Sequence, residues 1–190
     1  MKRGLPVLLT LILALVLLGG CRESHSEEER AMEARERFLA AQGCTFQAEV
    51  TADYGDKVYT FSMDCQGNDM GDVAFSVTAP DSIAGITGSL SGQGGSLVFD
   101  GQALAFSLLA DGQVSPASAP WLLLHTLRGG FLTSYSQTEE GLLLSIDDSY
   151  EADSLHLDIW LNEAGAPTGA EVVWAGRRIL SLQVSNFTFL

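Results

Sequence analysis

Cys21 is the residue whose surroundings point most directly to a covalent reaction. It follows Leu17-Leu18-Gly19-Gly20, which closes a 14-residue run from Leu5 to Leu18, and that run is preceded by Lys2 and Arg3. A basic start, a short apolar stretch and small residues before a cut are the anatomy of a secretory signal peptide. The stretch is shorter than the ~20 residues a membrane-spanning helix needs. With a cysteine at its end, the segment predicts cleavage before Cys21 and attachment of diacylglycerol to the thiol. An amide-linked chain such as palmitate would complete a durable anchor, because stable anchoring takes two lipid signals. An uncleaved short anchor or a buried helix is the competing reading. The chain therefore divides into a signal peptide (1–20), a lipidated cysteine with a short tether (21–26) and one domain (27–190), on the extracytoplasmic side of a cell membrane.

The other two thiols follow from that assignment. Export places Cys44 and Cys65 in an oxidising compartment as an even pair. Alternation makes Cys44, Phe46, Ala48 and Val50 the apolar face of one strand and Tyr59, Phe61, Met63 and Cys65 the apolar face of the next, and opposed residues of a hairpin share a face. A hairpin turning near Tyr54-Gly55-Asp56 that pairs 50 with 59, 48 with 61 and 46 with 63 sets Cys44 opposite Cys65. A disulfide there would contribute ~3 kcal/mol on the chain-entropy model; two buried free thiols are the alternative.

Catalytic signatures are missing from the sequence. It contains no Gly-x-Ser-x-Gly, no Ser-x-x-Lys, no phosphate loop and no His-Glu-x-x-His. His25, His125 and His156 stand singly, without a second ligand at metal spacing, so no metal site is expected. His125 reads as a satisfied residue of a buried helix. Neighbouring carboxylates such as Asp147-Asp148 point to opposite faces of a strand and make poor acid–base partners. The expectation is a non-enzyme without a cofactor.

Charge narrows the partners. Without Lys2 and Arg3, eight basic residues face 24 acidic ones, a net charge of −16. Such a chain is a poor ligand for nucleic acid and is repelled by anionic headgroups beyond its anchor.

The elements that must position any site are mostly strands. Ser26 to Gln42 reads as an amphipathic helix, with a Ser26–Glu29 capping box and Gly43 as the C-terminal cap. Its apolar side carries Ala31, Met32, Ala34, Phe38, Leu39 and Ala41. From residue 44 the period is two, giving eleven strands near 44–53, 57–66, 72–79, 84–91, 95–100, 103–109, 131–137, 142–148, 154–161, 169–175 and 178–188. Their close spacing predicts an antiparallel meander. One helix interrupts them, capped by Ser118 and running through Trp121, Leu122, Leu123, Leu124 and Leu127 to Arg128, a cation at its C-terminus. It is apolar on most sides, so it should be buried by a sheet curved around it. Strands such as 142–144 and 171–174 are apolar on both faces. With Trp121, Leu124, Phe131, Trp160 and Trp174 as lining candidates, that surplus suits either an apolar ligand cavity or an ordinary core.

The segment Leu155-His156-Leu157-Asp158-Ile159-Trp160-Leu161-Asn162-Glu163-Ala164-Gly165-Ala166-Pro167 resembles the strand, polar turn and following proline of the bacterial lipoprotein-carrier superfamily, the LolA/LolB/RseB-like proteins. Val184-Ser185-Asn186-Phe187 is similar to that family's closing strand. The resemblance implies an α+β, mainly antiparallel fold: an open half-barrel of about eleven strands with an N-terminal helix and a mid-chain helix against its concave face. It also implies a binding role. The chain would be a lipid-anchored scaffold for an envelope, cell-wall or spore protein, or alternatively a carrier or acceptor of lipid or acylated protein in an apolar concavity.

Overall fold

The computed structural model describes residues 26–110, 113–151 and 154–190. The signal segment, Cys21 and His25 lie outside the described residues. Helix α1 (Glu27–Ala40) starts on the expected capping box: the Ser26 hydroxyl accepts from the Glu29 N–H (3.2 Å), and the Glu29 carboxylate accepts from the Ser26 N–H (2.8 Å). Its end differs from the sequence expectation. Ala41 caps it in an extended conformation, and Gly43 instead opens β1, where a Cβ would lie 2.6 Å from the Gly67 carbonyl oxygen. Only Ala31, Ala34 and Phe38 of the apolar side are buried; Met32 and Leu39 are exposed, because the helix touches the body along a narrow edge.

Six strands follow: β1 (Gly43–Asp53), β2 (Val58–Asn68), β3 (Val73–Ala79), β4 (Thr87–Ser91), β5 (Gly94–Phe99) and β6 (Gln102–Phe106). A small hairpin, β7 (Leu109–Ala110) with β8 (Gln113–Val114), and a 3-10 turn (Pro116–Ser118) lead into α2 (Ala119–Gly129). The chain then adds β9 (Phe131–Thr138), β10 (Gly141–Asp147), β11 (His156–Leu161), β12 (Pro167–Trp174) and β13 (Arg177–Phe189). Eleven strands form one open antiparallel sheet in the order β6-β5-β4-β3-β2-β1-β13-β12-β11-β10-β9, as period two and the short turns require. The two meanders join where β1 pairs with β13, so the sheet is not closed into a barrel.

The route from β6 to β9 runs from one edge of the sheet to the other, and α2 lies across a face on the way. Eight of its eleven residues are buried, Leu123, Leu124 and Leu127 among them. Ser118 does not cap it with a side-chain bond; its hydroxyl donates to the Ser115 carbonyl (2.5 Å) within the 3-10 turn. His125 carries the helix's exposed ring, stacked on Trp121 at 4.4 Å.

Two arginines lock the helices together. Arg35 of α1 donates to the Leu127 (3.1 Å) and Gly130 (2.7 Å) carbonyls at the end of α2. Arg128 of α2 donates to the Phe38 carbonyl (2.6 Å) near the end of α1 and to that of Asp69 (2.5 Å). Each helix thus supplies the cation for the other's C-terminal carbonyls, where such a charge is favourable. The sequence placed Arg128 at its own helix's end; the structure sends it across.

The first hairpin also corrects its expected register. The turn is centred on Gly55-Asp56, fixed by the Asp53 carboxylate accepting from Gly55 N–H (2.7 Å) and by Tyr54 N–H donating to Lys57 (3.0 Å). Pairing is therefore shifted by two residues: Cys44 faces Gly67 and Cys65 faces Phe46. A slip of two keeps every side chain on its face, so both cysteines are buried on the helix-bearing side, but as diagonal neighbours and free thiols. Burial pushes the Cys44 thiol up to about 11, and burial with the adjacent Asp64 charge pushes Cys65 higher still. Both sulfurs are thus protonated at neutral pH, and the thiolate is the reactive form. The folded chain should resist maleimide at pH 7, with Cys44 reacting only as pH approaches 11 and both reacting on unfolding. Mass spectrometry after alkylation reads this directly, and a mass lacking two hydrogens would instead mark an oxidised pair.

Candidate functional site

The five residues singled out from the sequence do not share one cavity. Leu124 is 3% exposed; its methyl sits against Gly67, where a Cβ would lie 2.5 Å away, and Cys44 packs beside them. Space between the end of α1, β1 and Leu124 amounts to about 10 Å³, bordered by Phe38, Cys44, Arg128 and Phe189. Phe38, Phe46, Phe187 and Phe189 pack with ring centres 4.9–5.6 Å apart and fill this part of the face. Trp121 and Trp174 belong to the same packed side. Trp174 faces inward because it alternates in step with the buried Ala170 and Val172 of the same strand.

Phe131 and Trp160 lie on the opposite face. Leu157, Ile159 and Leu161 are buried toward the helices, so Trp160 between them must point away. It borders an open groove of about 760 Å³ with Glu140, Glu171 and Arg178, the last two paired at 2.5 Å. Phe131 pairs with Asp147, and its ring contacts that of Tyr150 at 3.4 Å.

One polar cluster on that face was missed in the sequence. Asp147 and His156 are cross-strand partners, and the imidazole Nδ1 lies 2.7 Å from the Asp147 carboxylate. Its Nε2 lies 3.4 Å from the Asp158 carboxylate, which also accepts the Ser145 hydroxyl at 2.6 Å. An imidazole held between two carboxylates is a structural clamp across β10 and β11. The serine spends its hydrogen bond on a carboxylate rather than on the imidazole, so no activated nucleophile is assembled. Register would have revealed the pairing; isolated residue types could not. Among the described residues, no group of three or more His, Cys, Asp or Glu is placed to hold a metal ion.

A second groove, about 420 Å³, separates α1 from the β11–β12 turn. Its guanidinium groups are already engaged: Arg30 with Gln137 (2.6 Å), and Arg37 with the Ala164 carbonyl and the Phe189 ring.

The feature with unused binding capacity is the β4–β6 end of the helix-bearing face. Among the described residues, helical cover stops at Trp121, whose ring edge reaches the β4–β5 turn at Gly92. Beyond it, Phe75 lies flat over Gly88 and Phe106 over Gly95; a Cβ would meet the rings at 2.5 and 2.2 Å. These glycines let two rings lie against the backbone and keep the surface shallow. Leu97 and Phe106 are half-buried there, while Phe99 is 53% and Leu104 65% exposed. Register puts Gly95, Leu97, Phe99, Leu104 and Phe106 all on the helix side. The sequence signal was available as alternation through 96–106, but it reads as an ordinary hairpin until the helix is seen to end short of it.

A packed centre and an uncovered end differ in what truncation does. Leu124→Ala should lower stability by about 2–5 kcal/mol, the cost of a core cavity. Leu104→Ser should stay within about 0.5 kcal/mol, as for surface substitutions. Urea unfolding of the two variants measures both.

No family model matches the chain, and no curated protein sequence matches it. Solved structures similar to it include a LolA superfamily protein from Nitrosomonas europaea, 11% identical with a TM-score of 0.45, covering 88% of this chain and 94% of that one. Lipoprotein LppX from Mycobacterium tuberculosis is 11% identical at a TM-score of 0.42, over 85% and 92% of the two chains. The MucA/MucB complex of Pseudomonas aeruginosa gives 14% identity at 0.35, over 86% and 56%. These are likenesses of outline, and no residue role comes with them.

Proposed function

We propose that this chain is a non-catalytic scaffold of the bacterial cell envelope, tethered through an acylated Cys21, that docks an envelope or cell-wall protein on the uncovered β4–β6 end of its helix-bearing face. The observation that carries the reading is the exposure of Phe99 and Leu104 beside Leu97 and Phe106. A contiguous apolar surface on an otherwise strongly acidic chain marks a place where something binds. The carrier alternative has less support: around Leu124 the face is occupied by side chains, and the space left there is about 10 Å³ against the 300–1,000 Å³ typical of ligand pockets.

The test places a photo-crosslinking amino acid at Phe99 in the full-length chain in intact cells, with the same group at Thr168 on the opposite face as control. Position 99 should give a discrete protein adduct and position 168 none. Equal adducts at both, or a lipid adduct alone at 99, would overturn the reading, the latter in favour of the carrier. Cys21→Ser should move the exported chain from the membrane to the soluble fraction.

A further inference from the structure

We propose that the open edge of β6 is a strand-addition site for an extended, Lys/Arg-bearing segment of the partner protein; this rests on the docking role argued above. β6 ends the sheet, and among the described residues no other strand pairs with its outer side. Asp100 and Gly101 form the two-residue turn into it, with φ of 48° and 72°, the left-handed pair of a type I′ hairpin. In such a hairpin the flanking Phe99 and Gln102 form the hydrogen-bonded pair. By alternation Leu104 and Phe106 also bond to β5, so Ala103 and Ala105 turn their N–H and C=O groups outward.

Exposed edges are normally blocked by lysine, proline, a bulge or a covering element. Gln102-Ala103-Leu104-Ala105-Phe106 has no charge and no proline, and its pairing with β5 is regular. The opposite edge is treated differently. β9 carries a bulge against β10, and α1 lies beside it, with Arg30 bonded to Gln137. One edge is protected, and the other is left able to pair.

Charge selects the occupant. No lysine or arginine occurs from Val58 to Leu127, and the six charged residues of that stretch are all aspartates, including Asp100 in the turn that starts β6. A cationic segment is attracted to this end of the sheet, whereas a second copy brings the same net charge of −14. Its alternate apolar side chains would lie on Leu104 and Phe106, while its backbone satisfies Ala103 and Ala105. An acyl chain can use the apolar surface but not those main-chain groups. β6 is five residues long, ~17 Å, so the added strand is of similar length.

The probe is a fluorescent nine-residue peptide, Lys-Thr-Val-Lys-Val-Arg-Val-Thr-Lys, titrated by anisotropy into the full-length chain carrying Cys21→Ser. Saturable binding with a Kd approaching millimolar is expected. N-methylation of alternate amides in one parity should weaken it about tenfold or more, the loss of one or two main-chain hydrogen bonds, while the other parity stays within about twofold. Ala105→Pro should weaken it similarly without lowering the melting temperature, since that N–H does not serve the β5 pairing. Leu104→Lys, which leaves the backbone intact, should also weaken it. A scrambled peptide of equal charge, and one with glutamate for its cations, should bind weakly.

Equal sensitivity to both N-methyl sets, or no effect of Ala105→Pro, would overturn strand addition. Uptake of palmitate or phosphatidylglycerol vesicles in place of the peptide would do so too, as would a dimer in light scattering that Ala105→Pro dissociates. A discrete adduct at position 99 that persists in Ala105→Pro would leave the docking role standing while the strand-addition proposal falls; loss of the adduct at position 99 in the parent chain removes both.

Discussion

The sheet is left at β6 and re-entered at β9, its two outermost strands, and this routing governs the rest of the molecule. A connection between opposite edges must cross a face, and whatever crosses is buried on one side by strands. That is why α2 is apolar on most of its surface and why its one exposed ring, His125, lies against Trp121 instead of the sheet. Length then decides what is covered. Eleven strands at ~4.8 Å spacing span ~48 Å, whereas an eleven-residue helix is ~16 Å long and a fourteen-residue one ~21 Å. Among the described residues, these two helices cannot roof the sheet. With α1 beside β9 and β10, and α2 against β2, β10 and β11, the shortfall falls at β4–β6.

The arginine exchange fixes where the cover sits. Arg35 and Arg128 each satisfy carbonyls that a helix end leaves without partners, and each does so for the other helix. Arg35 is partly buried, and burial lowers its pKa from the ordinary guanidinium value, yet hydrogen bonds to charged groups remain among the stronger contributions, ~1.5–3 kcal/mol each. Sliding α2 toward β6 to cover Phe99 and Leu104 would break these bonds. The open apolar end is therefore held open by the packing of the closed one.

Much of this was legible from residue pattern. Period two located all eleven strands of the main sheet, and Ser26 with Glu29 located the start of α1, because both signals are local. Register was not, since the first hairpin's turn lies one residue further along than Tyr54-Gly55-Asp56 suggested; the two-residue slip preserved faces but separated the cysteines. The candidate cavity residues divide for a different reason: Trp121, Leu124 and Trp174 share the helix-bearing face, and Phe131 and Trp160 do not. Trp160 sits between Ile159 and Leu161, whose burial sends it outward, whereas Trp174 shares the parity of the buried Ala170 and Val172 and faces the helices. An aromatic inventory ignores parity. The uncovered β5–β6 surface could not be read at all, because it depends on where a helix ends in space rather than on the hairpin's own sequence.

An edge as bare as β6 gives only a weak contact by itself. Two outward residues offer about four main-chain hydrogen bonds, each contributing ~0.5–1.5 kcal/mol, with Leu104 and Phe106 adding apolar contact, while association itself costs several kcal/mol. The result is an affinity nearer millimolar than nanomolar, and for a freely diffusing protein it would hold little. A lipid tether at Cys21, as proposed above, would change that balance, because confinement beside a membrane-bound partner raises the effective concentration. The same proposed tether that would prevent this chain from ferrying cargo between membranes would make a five-residue edge sufficient for docking. It would also let the edge remain unprotected. Processed copies, eight basic residues against 24 acidic ones, repel one another at a net charge of −16, so the lysines that guard other edge strands would serve little here and would repel the proposed cationic segment.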